Sequence, residues 1–355
     1  HEITFISTDG GLYISDGIID EVNNLSLNGL GVSQYYSTYT KRTPPYQIFA
    51  GSQDQGFQRS TDHANSVYDF EQVVSGDYGH LVSSDNGHSV WMVYPGFAIY
   101  YPDASSNTSG ITWYWDMSGA LWLPPLMEDP NDPSSVYLAG GGLSGGHHIL
   151  KLTRNGNSIQ VDEGDYSFNN TITAMAYSPI DPSHRYVLTY NGNFYYSSND
   201  GIDWTMSQGF TGPESHYFYG STIHSSNQTL GKVIIGGSGY SNNPVFISYN
   251  HGQTFQDFSE GLPNTMVFKI DGTLSDQVFF AATDLGPYAY VDGEDEWINI
   301  MGFSAPDQTY WSLEYVSEIH TARFGTYGRG IWDFVLDDNY NIMDGDINND
   351  FIVNI

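Results

Sequence analysis

The stretch Ser178–Thr205, SPIDPSHRYVLTYNGNFYYSSNDGIDWT, contains the unit that the rest of the chain repeats. A turn rich in Pro and Asp leads into a β-rich run, Arg185–Tyr190, and Asn191-Gly192 separates this run from a second one, Asn193–Ser197. Asn-Gly between two runs of alternating apolar and polar residues predicts a two-residue hairpin turn. Both positions of that turn need φ > 0, which Asn and Gly adopt more readily than other residues. The loop that follows closes on Trp204, whose ring we expect to pack back against the sheet.

Similar hairpin units recur at intervals of roughly 40 to 50 residues, which is the period of a four-stranded propeller blade. No amphipathic helix of three turns is found, the first unit lacks an inner strand, and the last lacks an outer strand. The sequence therefore predicts an all-β fold, a seven- or eight-bladed β-propeller of four-stranded antiparallel blades. The eight units lie at Ile3–Ser15, Gln47–Ser60, Ser89–Tyr101, Val136–Leu152, Arg185–Ser197, Lys232–Ser248, Gln277–Val291 and His320–Phe334.

The composition excludes some classes of partner. The chain has 355 residues, with 10 Lys and Arg against 41 Asp and Glu, and a net charge of −31. Such a chain offers no basic patch for nucleic acid or for an acidic membrane surface. No apolar run approaches the ~20 residues of a membrane span, so we expect no membrane insertion. The absence of cysteine fits many secreted bacterial proteins, and the abrupt start in a strand-like stretch favours a mature or excised chain.

A polar loop motif follows two of the predicted hairpins. It has the form Ser-x-Asp/Asn-x-Gly-x-x-aromatic, in Ser197–Trp204 and in Ser248–Phe255, and Ser60-Thr61-Asp62 begins a degenerate copy. Ser84-Asp85-Asn86-Gly87 looks similar, but we discount it because it precedes a hairpin. The motif resembles the Asp-box of BNR-repeat propellers, which include sialidases, two-propeller xyloglucanases and sortilin-like receptors. The resemblance implies that the loops are structural and lie opposite the ligand site.

The strand order then places the candidate ligand residues on the other rim. If the strands of each blade run outward from the axis, the turns between the second and third strands share one rim with the connections between blades. We therefore predict a ligand-binding rim that carries Asp9, Asp54, Asp77, His80, Asp284 and Arg329. The alternative is that each Asp before a Gly only stabilises its own tight turn.

Two of these carboxylates, Asp54 and Asp77, are candidates for catalysis. Paired carboxylates can act as acid, base or nucleophile on a glycosidic bond. Resemblance to sialidases implies an arginine triad, for which 10 basic residues leave little room, and resemblance to xyloglucanases implies a second propeller. The sequence therefore leaves catalysis open, with glycoside hydrolysis as the reaction class.

The C-terminal segment carries a calcium motif. Residues 1–334 are the predicted propeller, residues 335–343 a linker and residues 344–355 the start of a dockerin-like segment. The candidate ligands alternate, as in an EF-hand-type loop, at Asp346, Asn348, Asp350, Ile352 (through its carbonyl) and Asn354. Phe351 replaces the usual turn glycine, and a twelfth ligand is not present. We expect Ca²⁺ here when the loop is complete; the alternative is a disordered acidic tail.

Three functions remain open on these grounds. The first is a binding or adhesion module of a secreted or cell-surface bacterial protein, with a glycan or protein ligand and further domains in the same polypeptide. The second is a glycoside hydrolase of a BNR-type propeller family. The third is a structural subunit of an extracellular assembly.

Overall fold

The computed structural model describes residues 3–16, 21–64, 67–115, 121–140, 143–216 and 219–336, and these residues are almost entirely β-strands and turns. The strands form eight antiparallel sheets, six with four strands and two with three. The predicted all-β class and the count of seven or eight repeats are confirmed. No helix in the described part of the chain has the length and apolar character needed to cross a bilayer.

The first sheet and the blades that follow it are named in chain order. The N-terminal sheet contains β1 (Ile3–Thr8), β2 (Gly11–Asp16) and β3 (Asn23–Asn24). Blades 1 to 3 contain β4 (Tyr35–Thr40), β5 (Ile48–Ser52), β6 (Gly56–Ala64) and β7 (Val67–Val74); β8 (Leu81–Val82), β9 (Val90–Tyr94), β10 (Phe97–Tyr101) and β11 (Ile111–Tyr114); and β12 (Leu126–Glu128), β13 (Ser135–Leu138), β14 (Leu150–Asn155) and β15 (Ser158–Glu163).

The other four blades repeat this order, and the last has three strands. Short helical turns lie at Ser26–Leu30, Leu143–Gly146 and Ser317–Ile319. Blades 4 to 7 contain β16 (Ile172–Tyr177), β17 (Arg185–Thr189), β18 (Phe194–Ser197) and β19 (Thr205–Met206); β20 (Thr222–Ser225), β21 (Val233–Gly236), β22 (Val245–Ser248) and β23 (Gln256–Asp257); β24 (Val267–Gly272), β25 (Val278–Thr283), β26 (Gly286–Val291) and β27 (Ile298–Asn299); and β28 (Tyr310–Val316), β29 (Thr321–Thr326) and β30 (Ile331–Val335).

Seven inner strands form a closed ring around the axis. The first strand of each blade lies beside the first strand of the next, in the order β4, β8, β12, β16, β20, β24, β28, and β28 returns to lie against β4. The N-terminal sheet lies outside this ring and rests on blade 1, where Gln55 Nε2 donates a 2.9 Å hydrogen bond to the carbonyl of Gly10. The ring therefore has seven blades, and the eighth sheet is an addition to it.

The antiparallel order divides the turns between two rims. The upper rim carries the turns between second and third strands and the connections between blades, and the lower rim carries the remaining turns. A hydroxyl at the end of the second strand donates to the carbonyl of the glycine beyond the turn, as in Thr283 to Gly286 at 2.7 Å and Thr326 to Gly330 at 2.8 Å. Thr8 makes the same bond to Gly11 at 3.4 Å, so β1 and β2 correspond to the second and third strands of a blade.

The turn after β17 differs from the prediction. It contains four residues, 190–193, and of the Asn-Gly pair only Gly192 has a positive φ, of 77°. Thr189 Oγ1 donates to Asn191 Oδ1 at 2.8 Å and to the carbonyl of Asn193 at 3.1 Å. The backbone N–H of Gly192 donates to the Thr189 carbonyl at 2.9 Å, so the chain reverses over 189–192 with Gly192 in the left-handed region, and the predicted two-residue turn is wrong.

The two loops with the polar motif, Ser197–Trp204 and Ser248–Phe255, which we call the box loops, have the hydrogen bonds that the motif predicts. In the first, Ser197 Oγ accepts from the backbone N–H of Asn199 and Gly201, at 3.3 and 3.0 Å, and Trp204 Nε1 donates to the Gly201 carbonyl at 2.9 Å. Ser248 accepts in the same way from Asn250 and Gly252, at 3.2 and 2.8 Å. Ser60 lies inside β6 instead.

The discounted stretch before β9 forms the same turn, one residue earlier than its sequence suggested. Ser83 Oγ accepts from the N–H of Asp85 at 3.4 Å and of Gly87 at 2.9 Å, and Asp85 Oδ1 accepts from Ser89 N at 2.9 Å. The three turns, at Ser83, Ser197 and Ser248, share the same local spacing of Ser, Asp or Asn, and Gly. All three copies lie on the lower rim.

Aromatic and aliphatic side chains fill the spaces between blades. Between blades 6 and 7, for example, Phe280, Tyr315 and Phe324 belong to one buried cluster. Trp113 and Trp115 pack against each other, with ring centroids 5.3 Å apart, and against the core between blades 2 and 3. Burying each such side chain contributes about 1.5–3 kcal/mol, so each blade depends on its neighbours.

Candidate binding site

Three of the predicted carboxylates come together on the upper rim. Asp54 lies in the turn between β5 and β6, and its backbone N–H donates a 2.9 Å hydrogen bond to Oδ1 of Asp77, in the connection to blade 2. The β1–β2 turn, which carries Asp9, lies against Asp54, because a Cβ on Gly10 would be 3.6 Å from the Cβ of Asp54. The N-terminal sheet thus brings a third carboxylate to a pair that blade 1 positions.

A network of amide and tyrosine side chains surrounds this carboxylate cluster, which we define as Asp9, Asp54 and Asp77. Gln53 Oε1 accepts hydrogen bonds from Tyr36 Oη at 2.8 Å and from Gln34 Nε2 at 2.7 Å. The backbone of Gln34 pairs with that of Tyr327, so blade 7 is joined to the same place. The residues around the cluster are therefore fixed by the fold before any ligand binds.

Like charge and burial shift the ionisation of this site. The pKa of Asp54 is raised above its ordinary value, first by partial removal from water and then by the negative charges of Asp77 and Asp9. The pKa of Tyr94 is also raised, chiefly by burial and next by the charge of Asp77. No ion pair joins Asp9, Asp54 or Asp77 to a basic side chain among the described residues. A carboxylate cluster without a basic partner, close to aromatic rings, is a typical position for a ligand.

Aromatic rings close the propeller axis beside the cluster. Tyr36, Tyr219, Phe268 and Trp311 form this aromatic plug, and each of the four is at most 8 % exposed. Tyr36 stacks on Trp311 at 5.3 Å, and Tyr219 Oη donates to the Tyr36 carbonyl at 2.8 Å. Because Tyr36 belongs to blade 1 and Tyr219 to the connection entering blade 5, their hydrogen bond crosses the axis. The aromatic plug therefore closes the axis below any ligand that binds at the upper rim.

The other predicted site residues lie elsewhere or have structural partners. Asp284 is on the upper rim, but its carboxylate accepts hydrogen bonds from Thr265 Oγ1, from Met266 N at 3.0 Å and from Tyr240 Oη. It stabilises its own loops. Arg329 lies exposed in the β29–β30 turn of blade 7, where its carbonyl accepts a 2.8 Å hydrogen bond from Trp332 Nε1.

His80 faces the inside of the propeller. Its ring lies edge-on to Tyr219, with centroids 4.9 Å apart, beneath the aromatic plug. Burial, assisted by the charge of Lys269, lowers the pKa of His80 to about 3, so the imidazole is neutral at pH 7. The structure separates His80 from the carboxylate cluster, although only two residues lie between His80 and Asp77 in the sequence.

The predicted calcium ligands Asp346, Asn348, Asp350, Ile352 and Asn354 lie outside the described residues. Within the described residues, no group of three His, Cys, Asp or Glu side chains is arranged to hold a metal ion. Calcium at residues 344–355 stays a prediction.

The sequence did not single out the partners of the carboxylate cluster, Gln34, Gln53, Tyr36 and Tyr94. Gln53 adjoins Asp54, but the other three lie in other turns or strands. One feature of the sequence could have indicated this site: Gln53-Asp54-Gln55 places three polar residues in one turn directly after a fully buried strand.

Comparison with known proteins identifies the fold alone. No family model matches the chain, and no curated protein matches it. Among solved structures, the β-propeller domain of Cps50 (Swd1) from Myceliophteria thermophila matches with a TM-score of 0.64 and 9 % sequence identity. The match covers 85 % of this chain and 95 % of that one. A likeness at this identity carries no information about ligands, because one fold supports many functions. The comparison supports the conclusion drawn from the strand order, that the chain is a β-propeller.

Proposed function

We propose that the chain is a binding module whose ligand is a glycan held at the carboxylate cluster of the upper rim. The observation that carries the proposal is the convergence of Asp9, Asp54 and Asp77 with the Tyr36–Gln53–Gln34 network. Carboxylate and amide oxygens accept hydrogen bonds from sugar hydroxyls. Tyr327, which pairs with Gln34 and is 50 % exposed, provides an aromatic ring on which a sugar face can stack. The net charge of −31 favours a neutral or cationic ligand over an acidic one.

The cellular setting is part of the same proposal. A secreted or cell-surface bacterial protein, with further domains in the same polypeptide, accounts for the acidic composition, the absence of cysteine and the dockerin-like residues 344–355. Ca²⁺ at those residues belongs to this setting and not to the glycan site.

The test is a glycan array followed by calorimetry on the intact chain with Ca²⁺ present. Asp77→Asn removes a charge but keeps an oxygen that can accept from Asp54 N. Asp54→Asn is also tolerated, because Asn adopts the left-handed conformation that Asp54 has, with φ of 59°. Each variant should weaken glycan binding about tenfold or more, the effect of losing one charge-assisted hydrogen bond. Asp162→Asn, on the exposed outer strand β15, is the matched control.

Two results would contradict the proposal. One is an array without a ligand, and the other is a glycan that binds both variants as tightly as it binds the wild type. A purified protein ligand whose binding needs Asp54 and Asp77 would replace the glycan with a protein as the ligand class.

Glycoside hydrolysis is the second candidate, favoured by one observation. Asp77 and Asp9 raise the pKa of Asp54, and a carboxyl group with a raised pKa beside an ionised one can serve as a general acid. If this holds, the wild type releases reducing sugar from a bound glycan, and Asp54→Asn abolishes release while Asp162→Asn does not. A ligand recovered uncleaved after long incubation would exclude the reaction for that glycan.

A further inference from the structure

A cavity lies on the propeller axis, on the other side of the aromatic plug from the carboxylate cluster. Its volume is about 250 Å³, and the inner strands of all seven blades contribute to its wall. Tyr219, Phe268 and His80 line its upper end, and Arg42, Glu128 and Glu314 line the end nearer the lower rim. A cavity below the roughly 300–1,000 Å³ of drug-sized pockets fits a small ligand.

Hydroxyl groups make up much of the wall, and one of them has no partner. The wall includes Ser37, Thr38, Thr173, Ser221, Thr222 and Ser312. Thr38 is only 6 % exposed, and its Oγ1 has no hydrogen-bond partner among the described residues. A buried hydroxyl without a partner is costly, so it indicates a group that a ligand or water completes.

Most charges on the wall already have partners within the protein. Glu314 accepts hydrogen bonds from Thr40 N and Thr40 Oγ1, each at 2.8 Å, and pairs with Arg42 at 3.2 Å. Asp271 accepts from Tyr315 N at 2.8 Å and lies 3.4 Å from His224 Nδ1. These groups hold the blades together at the lower end of the cavity.

Lys269 and Glu128 are the exceptions. Lys269 is exposed to the cavity, and the described residues provide no hydrogen bond or ion pair for its ammonium group. Glu128 accepts one hydrogen bond, from Tyr177 Oη at 3.0 Å, and has no basic partner within 4 Å in the same part of the chain. One positive and one negative group thus face a polar cavity without pairing with each other.

We propose that the axial cavity binds a small zwitterion of amino-acid size, whose carboxylate pairs with Lys269 and whose ammonium group faces Glu128. A simple anion would be repelled by the unpaired carboxylate of Glu128, and a simple cation by the unpaired ammonium group of Lys269. A ligand with both charges matches both ends. This site is independent of the glycan proposal, because the aromatic plug separates it from Asp54 and Asp77.

The test is thermal-shift screening of the intact chain against each standard amino acid at pH 7, followed by calorimetry on those that raise Tm. Two analogues of the tightest binder then test the charges from the ligand side. Its N-acetyl derivative lacks the ammonium group, and its amide lacks the carboxylate. Each analogue should bind about tenfold or more weakly.

Variants test the same charges from the protein side. Lys269→Met and Glu128→Gln should each weaken binding by a similar factor, and Gln can still accept from Tyr177. Lys41→Met and Glu163→Gln, which lie outside the cavity, should bind as the wild type does, and so should Asp54→Asn. Circular dichroism of the ligand-free variants checks that they fold.

The proposal fails if no amino acid raises Tm, or if the N-acetyl and amide analogues bind as tightly as the parent. It also fails if folded Lys269→Met and Glu128→Gln both retain full affinity.

Discussion

Arg323 Nη1, in blade 7, donates a 2.6 Å hydrogen bond to Oγ1 of Thr40, in blade 1, across 283 positions of sequence. Arg323 is 1 % exposed and also forms a two-point ion pair with Asp333, at 2.7 and 2.6 Å. Thr40 Oγ1 in turn donates to Glu314 Oε1 at 2.8 Å. These groups join the last blade to the first, and they do so where the chain has no peptide connection.

Arg323→Met should therefore strongly destabilise the ring. It leaves Asp333 without its cation and Thr40 Oγ1 without its donor, and breaking such a buried ion pair costs about 3–5 kcal/mol. Urea unfolding measures the loss. Arg154→Met, at an exposed arginine on β14, should change the free energy of unfolding by no more than about 1 kcal/mol. Equal effects of the two substitutions would mean that Arg323 does not hold the ring closed.

Ser197→Ala tests the box turn. The substitution removes the acceptor of two backbone N–H groups, so we expect a loss of about 1–2 kcal/mol in the free energy of unfolding. Ser198→Ala, at the exposed neighbour, is the control and should have little effect. Ser83→Ala should resemble Ser197→Ala, because its turn has the same bonds. If Ser83→Ala leaves the free energy of unfolding unchanged, the two turns share their hydrogen bonds but do not contribute equally to stability.

His80 predicts a loss of stability in acid. Its pKa is about 3 in the folded protein and 6.5 in the unfolded chain, so the unfolded chain binds the proton first as the pH falls. The contribution of His80 to the free energy of unfolding is therefore fully present above pH 6.5. It declines as the pH falls from 6.5 to 3, by up to about 1.4 kcal/mol for each pH unit. Unfolding of wild type and His80→Gln at pH 7.5 and 5.0 measures the difference. The variant should lose less stability than the wild type, and His88→Gln, at an exposed histidine, should behave as the wild type. Identical pH dependence in His80→Gln and wild type would show that His80 is protonated without cost.

Asp284→Ala should affect stability and leave ligand binding unchanged. Three donors lose their common acceptor, which costs about 1–3 kcal/mol. Asp295→Ala, at an exposed carboxylate of the same blade, is the control. If Asp284→Ala instead weakens glycan binding while its unfolding curve is unchanged, Asp284 belongs to the ligand site.

The calcium prediction is tested by titrating the intact chain with Ca²⁺ in a calorimeter. We expect one ion per chain with a dissociation constant of about 10⁻⁴ M or weaker, because a twelfth ligand is not present. Asp346→Ala and Asp350→Ala should abolish binding, and Asp338→Ala, in the predicted linker, should not. Binding that survives both loop substitutions would place the ion elsewhere.

Local chemistry allowed much of the fold to be predicted. Ser197, Asn199, Gly201 and Trp204 act within a few residues of one another, so their turn can be recognised from spacing alone. The recurrence of strand-hairpin-strand units at a regular interval along the chain similarly predicts the number of sheets. The prediction of a two-residue turn at Asn191-Gly192 was wrong because the chain reverses over four residues, closed by the hydrogen bond from Gly192 N to the Thr189 carbonyl.

The sites depended on contacts that no local pattern contains. Asp54 meets Asp77 because the β5–β6 turn lies beside the connection to blade 2, and it meets Asp9 only because the N-terminal sheet rests on blade 1. Lys269 faces a cavity on the axis only because seven inner strands close around it. The alternation of Lys269 and Asp271 in an apolar strand was a signal that sequence reasoning passed over. Turns and strand periods follow from backbone conformation and burial along a few residues, whereas a site on the axis or between sheets requires residues far apart in sequence to meet. Only ring closure brings them together.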